Sequence, residues 1–233
     1  DYHKVFGFSD KEKKTPLKKD DIFRIASQSK AITSLAVMML WEEGKFLLDE
    51  PVSKYIPEFK SPKVIKSFNA GDSSYTTEPA RGEITIRHLL THTSGIDYAV
   101  IGSTELKAIY AKHGVPSGIG NDREVLGDKM KILGSLPLKH HPGERWTYGL
   151  NHDVLGYLVE IWSGMSFDKF LKSRIFEPLG MKDTYFYLPG DKSNRLVGLH
   201  TYKDGKPVKM KEAPFDALNP NYPALNGTYF SGG

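Results

Sequence analysis

The segment from Ile25 to Trp41, IASQSKAITSLAVMMLW, contains a single ionisable side chain, that of Lys30. From residue 31 to residue 41 the sequence is apolar on almost every side of a helix. That pattern predicts a buried helix rather than an amphipathic surface helix. Burying a lone lysine is costly unless its ammonium has a partner or a function. The chain must therefore fold around a nearly apolar helix that carries one amine near its start.

Ser27 lies three residues before Lys30, about one helical turn away and on nearly the same face. A serine hydroxyl is a poor nucleophile until a base removes its proton. Lysine can be that base only when desolvation or a neighbouring cation destabilises its ammonium form. A serine in the first turn of a helix also presents its backbone N–H to a developing oxyanion. Ser27 and Lys30 are a candidate nucleophile and base; the alternative is a lysine that reaches out to solvent.

The same Ser-x-x-Lys spacing occurs a second time, at Ser166 and Lys169. Here the surroundings are densely charged, with Asp168 and Lys172 nearby. Ser166 is therefore predicted to cap the N-terminus of a helix, with Lys169 exposed to water.

A second proton carrier is needed to protonate a leaving group, and Tyr148 in the segment RWTYGLN is the best candidate. A tyrosine beside an ammonium could pass a proton between Ser27 and the leaving atom. The alternative is an ordinary core or rim aromatic residue, which the sequence alone favours.

His88 and His92 have the i, i+4 spacing of metal ligands on one helix face. Residue 89 is leucine, so the H-E-x-x-H pattern is absent, and we favour structural roles and predict no metal and no cofactor. The chain has no cysteine, which excludes disulfides, zinc-thiolate sites and a cysteine nucleophile. It also lacks the G-x-S-x-G elbow of α/β-hydrolases and the glycine-rich loops that bind nucleotide phosphates.

The 233 residues carry a formal net charge of +4, and their densest lysine cluster, over residues 11–19, is interleaved with acidic residues. Mixed signs of this kind predict a solvated face and no nucleic-acid partner. No apolar run approaches the roughly 20 residues of a membrane span. Hydrophobic residues make up 39% of the chain, enough for a packed core.

Local patterns predict the remaining elements. They are strands over 2–9 and 22–25, an irregular polar segment over 61–81, a helix over 86–91 capped by Thr85, and helices over 151–163 and 167–176.

Four blocks of the sequence resemble the serine β-lactamase-related family, the group of class C β-lactamases, DD-carboxypeptidases, family VIII esterases and D-aminopeptidases. The blocks are FRIASQSKAITSLAVMMLWEEGKFLLDEPVSKYIPEF, ITIRHLLTHTSGI, PGERWTYGLNHDVLGYLVEIWSGMSFDKFLKSRIFEPLGMKDTYF and NGTYFSGG. They fall in the family's order and make up a little under half of the chain. The resemblance implies that Ser27 is the nucleophile and that Lys30 and Tyr148 are a coupled base and acid.

The fold implied by this resemblance is of the α/β (α+β) class: an antiparallel sheet flanked by helices, with a mostly helical region beside it. The active site lies between the two. The implied division is residues 1–60 for the N-terminal α/β part with the nucleophile helix, 61–185 for the helical region, and 186–233 for a return toward the sheet. The resemblance also implies that the last part is incomplete and that a third active-site box follows Gly233.

One departure concerns the family's second box, which is often Tyr-x-Asn. Leu150 occupies the asparagine position after Tyr148, and the asparagine comes one residue later, at Asn151. We predict that Asn151 takes over binding of the substrate amide; the alternative is an apolar position, as in esterase-like members.

The resemblance implies a serine hydrolase that forms an acyl-enzyme with an ester, a β-lactam or a D-amino-acid peptide bond. The substrate is then a small molecule or a peptidoglycan-like peptide, and the compartment is periplasmic or extracellular. The alternative is a non-catalytic protein of the same fold that binds penicillin or peptidoglycan peptides. The altered second box motivates this alternative.

Overall fold

The computed structural model describes residues 2–116 and 124–210. Within these residues it contains six α-helices and three antiparallel strand pairs. The helices are α1 (Ser29–Glu42), α2 (Ile86–Leu90), α3 (Thr104–Lys112), α4 (Leu126–Gly134), α5 (Asn151–Ser163) and α6 (Phe167–Leu171). The strands are β1 (Phe8–Asp10), β2 (Thr15–Pro16), β3 (Lys63–Phe68), β4 (Tyr75–Pro79), β5 (His200–Lys203) and β6 (Lys206–Lys209). Single turns of 3-10 helix lie at Ala26–Gln28, Val52–Lys54 and Pro57–Phe59, a longer one lies at Gly190–Arg195, and a π-helical turn at Lys172–Phe176 continues α6.

Helix α5 is the centre of the packing, since α1, α2, α4 and α6 all contact it. Its bounds agree with the helix predicted over 151–163. The helix ends at Gly164, whose φ of +68° is the left-handed conformation that glycine adopts without strain. The core side chains of α5 are buried on several sides of the helix: Val154, Leu155, Leu158 and Val159. A helix with partners all round places the residues of its first turn deep in the molecule.

Helix α1 is buried on one side only, which corrects the prediction of a helix buried all round. Ala36, Val37 and Leu40 are buried on the side that includes the α5 contact. Leu35 and Trp41, in contrast, are 45% and 39% exposed. An apolar composition shows that a helix can be buried, but the packing partners decide which faces are. No helix in 2–116 or 124–210 is long and apolar enough to cross a bilayer.

Helix α2 begins as the sequence predicts. The Thr85 side chain accepts a hydrogen bond from the His88 backbone N–H, and His88 Nδ1 accepts one from the Thr85 N–H, each at 3.2 Å. This reciprocal arrangement satisfies two backbone donors that the first turn of a helix leaves without partners. The helix ends at Leu90, one residue before the predicted end.

Residues 61–81 form a β-hairpin, β3 and β4, where the sequence analysis predicted irregular structure. The strands pair antiparallel with a bulge between Ile65 and Ser67. The connecting turn is built from side-chain acceptors: Asn69 accepts from Gly71 N–H and Asp72 from Ser74 N–H, both at 2.9 Å. Neither strand alternates regularly between apolar and polar residues, and this alternation is the signal that identifies a strand in a sequence.

The two ends of the described chain meet. The strand predicted over 2–9 is found instead as the shorter β1, which begins at Phe8. In place of the strand predicted over 22–25, the structure has a parallel bridge between Ile22 and Leu196. Lys209 Nζ lies 2.7 Å from Asp10 Oδ2, and Gly198 N–H donates to the Ser9 carbonyl at 3.0 Å. The boundaries predicted at residues 60 and 185 stay predictions.

Candidate active site

Ser27 lies in the 3-10 turn Ala26–Gln28, immediately before α1, and is exposed to solvent. Ala26 has a φ of +42°, in the left-handed region that residues other than glycine rarely adopt. Holding a residue there costs on the order of 1–2 kcal/mol, so the surrounding structure must stabilise the turn. The turn presents the Ser27 hydroxyl at the surface while α1 continues into the packed interior.

The structure brings together the three residues predicted to carry the chemistry. The Ser27 Oγ and Tyr148 Oη atoms share a hydrogen bond of 2.6 Å, and Lys30 Nζ donates to Ser27 Oγ at 3.4 Å. Lys30 is only 7% exposed although Ser27 is exposed. The amine therefore lies beneath the hydroxyl, and the hydroxyl is open to a substrate.

Two tyrosine rings accommodate the buried ammonium. Lys30 Nζ lies 5.1 Å from the ring centroid of Tyr148 and 5.6 Å from that of Tyr98. The two rings stack with their centroids 5.5 Å apart and their planes at 12°. The faces of aromatic rings attract cations, and this attraction grows when the cation is desolvated. The lysine does not reach out to solvent, which excludes the alternative left open by the sequence.

The loop that supplies Tyr98 is fixed by the buried carboxylate of Asp97, which is 2% exposed. Asp97 Oδ1 accepts from the Tyr98 N–H at 2.8 Å, and Oδ2 accepts from the Ser103 N–H at 2.9 Å. Lys139 Nζ lies 3.2 Å from Oδ2. Burial raises the pKa of Tyr98, as do the nearby Asp153 and Tyr148, so its phenol stays protonated. Tyr98 supports the site without exchanging protons.

Two neutral histidines stack behind Tyr148. The His92 ring centroid is 5.1 Å from that of Tyr148 and 4.9 Å from that of His152. Burial lowers the pKa of His92 to about 4, with a smaller contribution from the charge of Lys30. Burial also lowers the pKa of His152 to about 3, followed by the effects of His92 and Lys30. Both rings are therefore uncharged at neutral pH.

Asn151 is fully buried at the start of α5, with 0% of its surface exposed. Its amide nitrogen donates to His92 Nδ1 at 2.9 Å, and its amide oxygen accepts from the Ser94 hydroxyl. Both ends of the amide are engaged within the protein and none of it reaches the surface. This placement does not support the substrate-binding role predicted for Asn151. Its contacts hold the His92 ring against Tyr148.

His88 and His92 do not converge on a common point as metal ligands would: the first caps α2, and the second accepts a hydrogen bond from Asn151. Within the described residues, no three His, Asp or Glu side chains cluster as metal ligands.

Two aromatic residues near the site were not predicted from the sequence, Tyr98 and Trp146. The Trp146 ring lies 6.1 Å from that of Tyr148, with 25° between the planes. Neither residue belongs to a catalytic motif. Their only signal was position, since Tyr98 closely follows the block ITIRHLLTHTSGI and Trp146 precedes Tyr148 by two residues.

The chain is similar to known proteins over most of its length. The family model described as Beta-lactamase matches residues 1–222. Esterase EstB of Burkholderia gladioli is 35% identical over 213 residues, which is 91% of this chain and 50% of that protein. Monacolin J acid methylbutanoyltransferase of Aspergillus terreus is 34% identical over 173 residues, 74% of this chain and 40% of that protein.

Among solved structures, EstCE1, a hydrolase with promiscuous acyltransferase activity, superposes with a TM-score of 0.78 at 28% identity. The match covers 97% of this chain and 58% of that one. The predicted α/β class and β-lactamase-like fold are confirmed. The chain spans about half the length of the curated relatives it matches.

Proposed function

The chain belongs to the β-lactamase family, and from that premise we propose that it is a serine hydrolase that cleaves esters through an acyl-enzyme. The observation that carries the proposal is the contact of Ser27 Oγ with Tyr148 Oη at 2.6 Å, above the buried amine of Lys30. The esterase and acyltransferase names of the relatives favour an ester over a β-lactam or a peptide.

Acylation starts from the form of the pair in which Tyr148 is a phenolate and Lys30 an ammonium: the Ser27 oxygen attacks the ester carbonyl carbon and passes its proton to the Tyr148 oxygen. The Lys30 ammonium, 3.4 Å from Ser27 Oγ, favours the negative charge that develops as the proton leaves. Tyr148 then donates the proton to the oxygen of the departing alcohol. The C–O bond of the ester breaks, and the acyl group stays on Ser27.

Deacylation repeats these steps with a second oxygen nucleophile. Tyr148 accepts a proton from a water molecule or an acceptor alcohol, whose oxygen attacks the acyl carbon. The proton returns to Ser27 Oγ as the acyl–enzyme bond breaks. Water gives hydrolysis and an alcohol gives acyl transfer, so one arrangement supports both reactions. The neutral His92 adds no competing charge beside Tyr148.

The test is covalent labelling of the full-length protein with a fluorophosphonate, with the adduct located by mass spectrometry. We expect one adduct, on Ser27, in the wild type and in Ser166→Ala, and none in Ser27→Ala. Ser166→Ala is the matched control because it removes the serine of the second Ser-x-x-Lys sequence. Labelling that persists in Ser27→Ala contradicts the proposal.

Turnover separates an enzyme from a binding protein that reacts once. We expect continuous hydrolysis of 4-nitrophenyl butyrate by the wild type and none above background by Ser27→Ala. A stoichiometric burst with no further product would instead support the non-catalytic alternative.

A further inference from the structure

The Trp146 indole is a large apolar side chain, yet it is 65% exposed. It lies beside the proposed reacting groups. It stacks on Tyr148 at 6.1 Å, and its centroid is also 6.1 Å from the His92 ring. One face of this aromatic group is therefore in contact with the site, while most of its surface is open to solvent.

The backbone that carries Trp146 is firmly held. The next residue, Thr147, is buried, its N–H donates to the His92 carbonyl at 2.8 Å, and its hydroxyl lies 2.8 Å from His140 Nε2. On the other side, Gly143 N–H donates to the Thr93 carbonyl at 2.8 Å. An aromatic side chain on a fixed backbone offers a large contact area with little conformational entropy to lose, which suits it to binding.

The order of proton transfers determines which part of an ester reaches this surface. Tyr148 gives its proton to the oxygen of the departing alcohol, so the alcohol lies on the Tyr148 side of Ser27. Trp146 stacks on Tyr148 and is therefore adjacent to the alcohol.

Resting on the proposed function, we propose that Trp146 binds the alcohol portion of the substrate and selects esters of flat, apolar alcohols. An acceptor alcohol in acyl transfer occupies the same place, so the preference applies to leaving group and acceptor alike.

The test compares two esters with the same acyl group, 1-naphthyl butyrate and ethyl butyrate, in the full-length protein. Contacts between aromatic rings and the burial of their surfaces are each worth on the order of 1 kcal/mol or more. We expect Trp146→Ala to lower kcat/KM for the naphthyl ester about tenfold more than for the ethyl ester. Trp146→Phe should recover most of the difference, because it keeps an aromatic ring.

Trp41→Ala is the matched control, since Trp41 is also a partly exposed tryptophan but lies about 16 Å along α1 from Lys30. It should leave the ratio of the two kcat/KM values unchanged. Circular dichroism checks that each variant is folded.

Two results would overturn the inference while the proposed function stands. One is an equal loss of kcat/KM on both esters; the other is a loss that follows the acyl chain when the alcohol is held constant. If the wild type hydrolyses neither ester, the proposed function fails and this inference fails with it.

Discussion

The two Ser-x-x-Lys sequences share their residues and their spacing but have different surroundings. At the first, the Ser27 hydroxyl contacts Tyr148 and the Lys30 amine is buried against aromatic rings. At the second, Ser166 occupies the N-cap position of α6, as predicted, but its hydroxyl donates to Asp168 at 2.6 Å, and Lys169 is exposed. The Ser27 hydroxyl is hydrogen-bonded to a phenol, and the Ser166 hydroxyl is hydrogen-bonded to a carboxylate.

The difference shows that four residues do not define this chemistry. What distinguishes the first sequence comes from elsewhere in the chain, from the loop that carries Tyr98 and the segment that ends in Tyr148. A hydrogen bond from the Leu150 N–H to the Asp97 carbonyl, at 3.3 Å, joins the two. Three experiments test the difference between the two Ser-x-x-Lys sequences.

The largest difference should come from removing each amine in turn. Lys30→Met keeps the length of the side chain and removes its charge, so we expect kcat/KM for an ester to fall about a thousandfold, the upper scale for losing one electrostatic stabiliser of the transition state. Lys169→Met should change it by less than about twofold, because surface substitutions have small effects. Steady-state kinetics of the two variants provides the measurement. Equal effects would show that the surroundings do not separate the two lysines.

A second experiment disturbs the support of the first sequence and leaves its residues intact. Asp97→Asn places an amide where both carboxylate oxygens now accept, so one N–H donor loses its partner however the amide turns. We expect the free energy of unfolding to fall by about 2 kcal/mol. The control is Asp49→Asn, which removes an exposed ion pair with Arg87 and should leave the free energy of unfolding nearly unchanged.

Urea denaturation measures both aspartate variants, and their ester hydrolysis is compared in the absence of urea. If Asp97→Asn is as stable as the wild type, the buried carboxylate does not hold the Tyr98 loop.

A third experiment tests an acid sensitivity on the side of the first sequence that carries His92 and His152. In the unfolded chain these histidines have ordinary pKa values near 6.5, against about 4 and about 3 when folded. The unfolded chain therefore binds more protons below pH 6.5, and stability present above that pH is lost as the pH falls. The loss approaches about 1.4 kcal/mol per pH unit for each histidine and ends near its folded pKa.

Urea denaturation at a series of pH values between 7 and 4 measures this slope. We expect His152→Gln to remove one histidine's share of it and His113→Gln, at an exposed position, to leave it unchanged. A wild-type slope retained in His152→Gln would show that this ring is not the acid-sensitive group.

Local chemistry was predictable from the sequence. The bounds of α5, the cap of α2 and the spacing of Ser27 and Lys30 depend on residues within a few positions of each other. The contact of Ser27 with Tyr148 was expected as well, through the family resemblance, although 121 residues separate the two.

The differences from the sequence predictions share a physical origin in tertiary packing. Asn151 follows Tyr148 closely in the sequence, but the first turn of α5 is buried among other helices. Its substrate-binding role stays a prediction. The exposed side of α1 could not be predicted from its apolar sequence, because composition does not show which faces of a helix pack against other elements. The hairpin over 61–81 was missed because its short, bulged strands give a weak pattern.

The left-handed backbone of Ala26 limits how this protein can vary without losing its reactive serine. Glycine relieves the conformation at position 26, and asparagine and aspartate tolerate it better than most residues do. Valine, isoleucine and threonine, branched at Cβ, fit it worst. Only a few residue types are therefore tolerated at position 26, one residue before the nucleophile, although the Ala26 methyl group takes no part in the reaction.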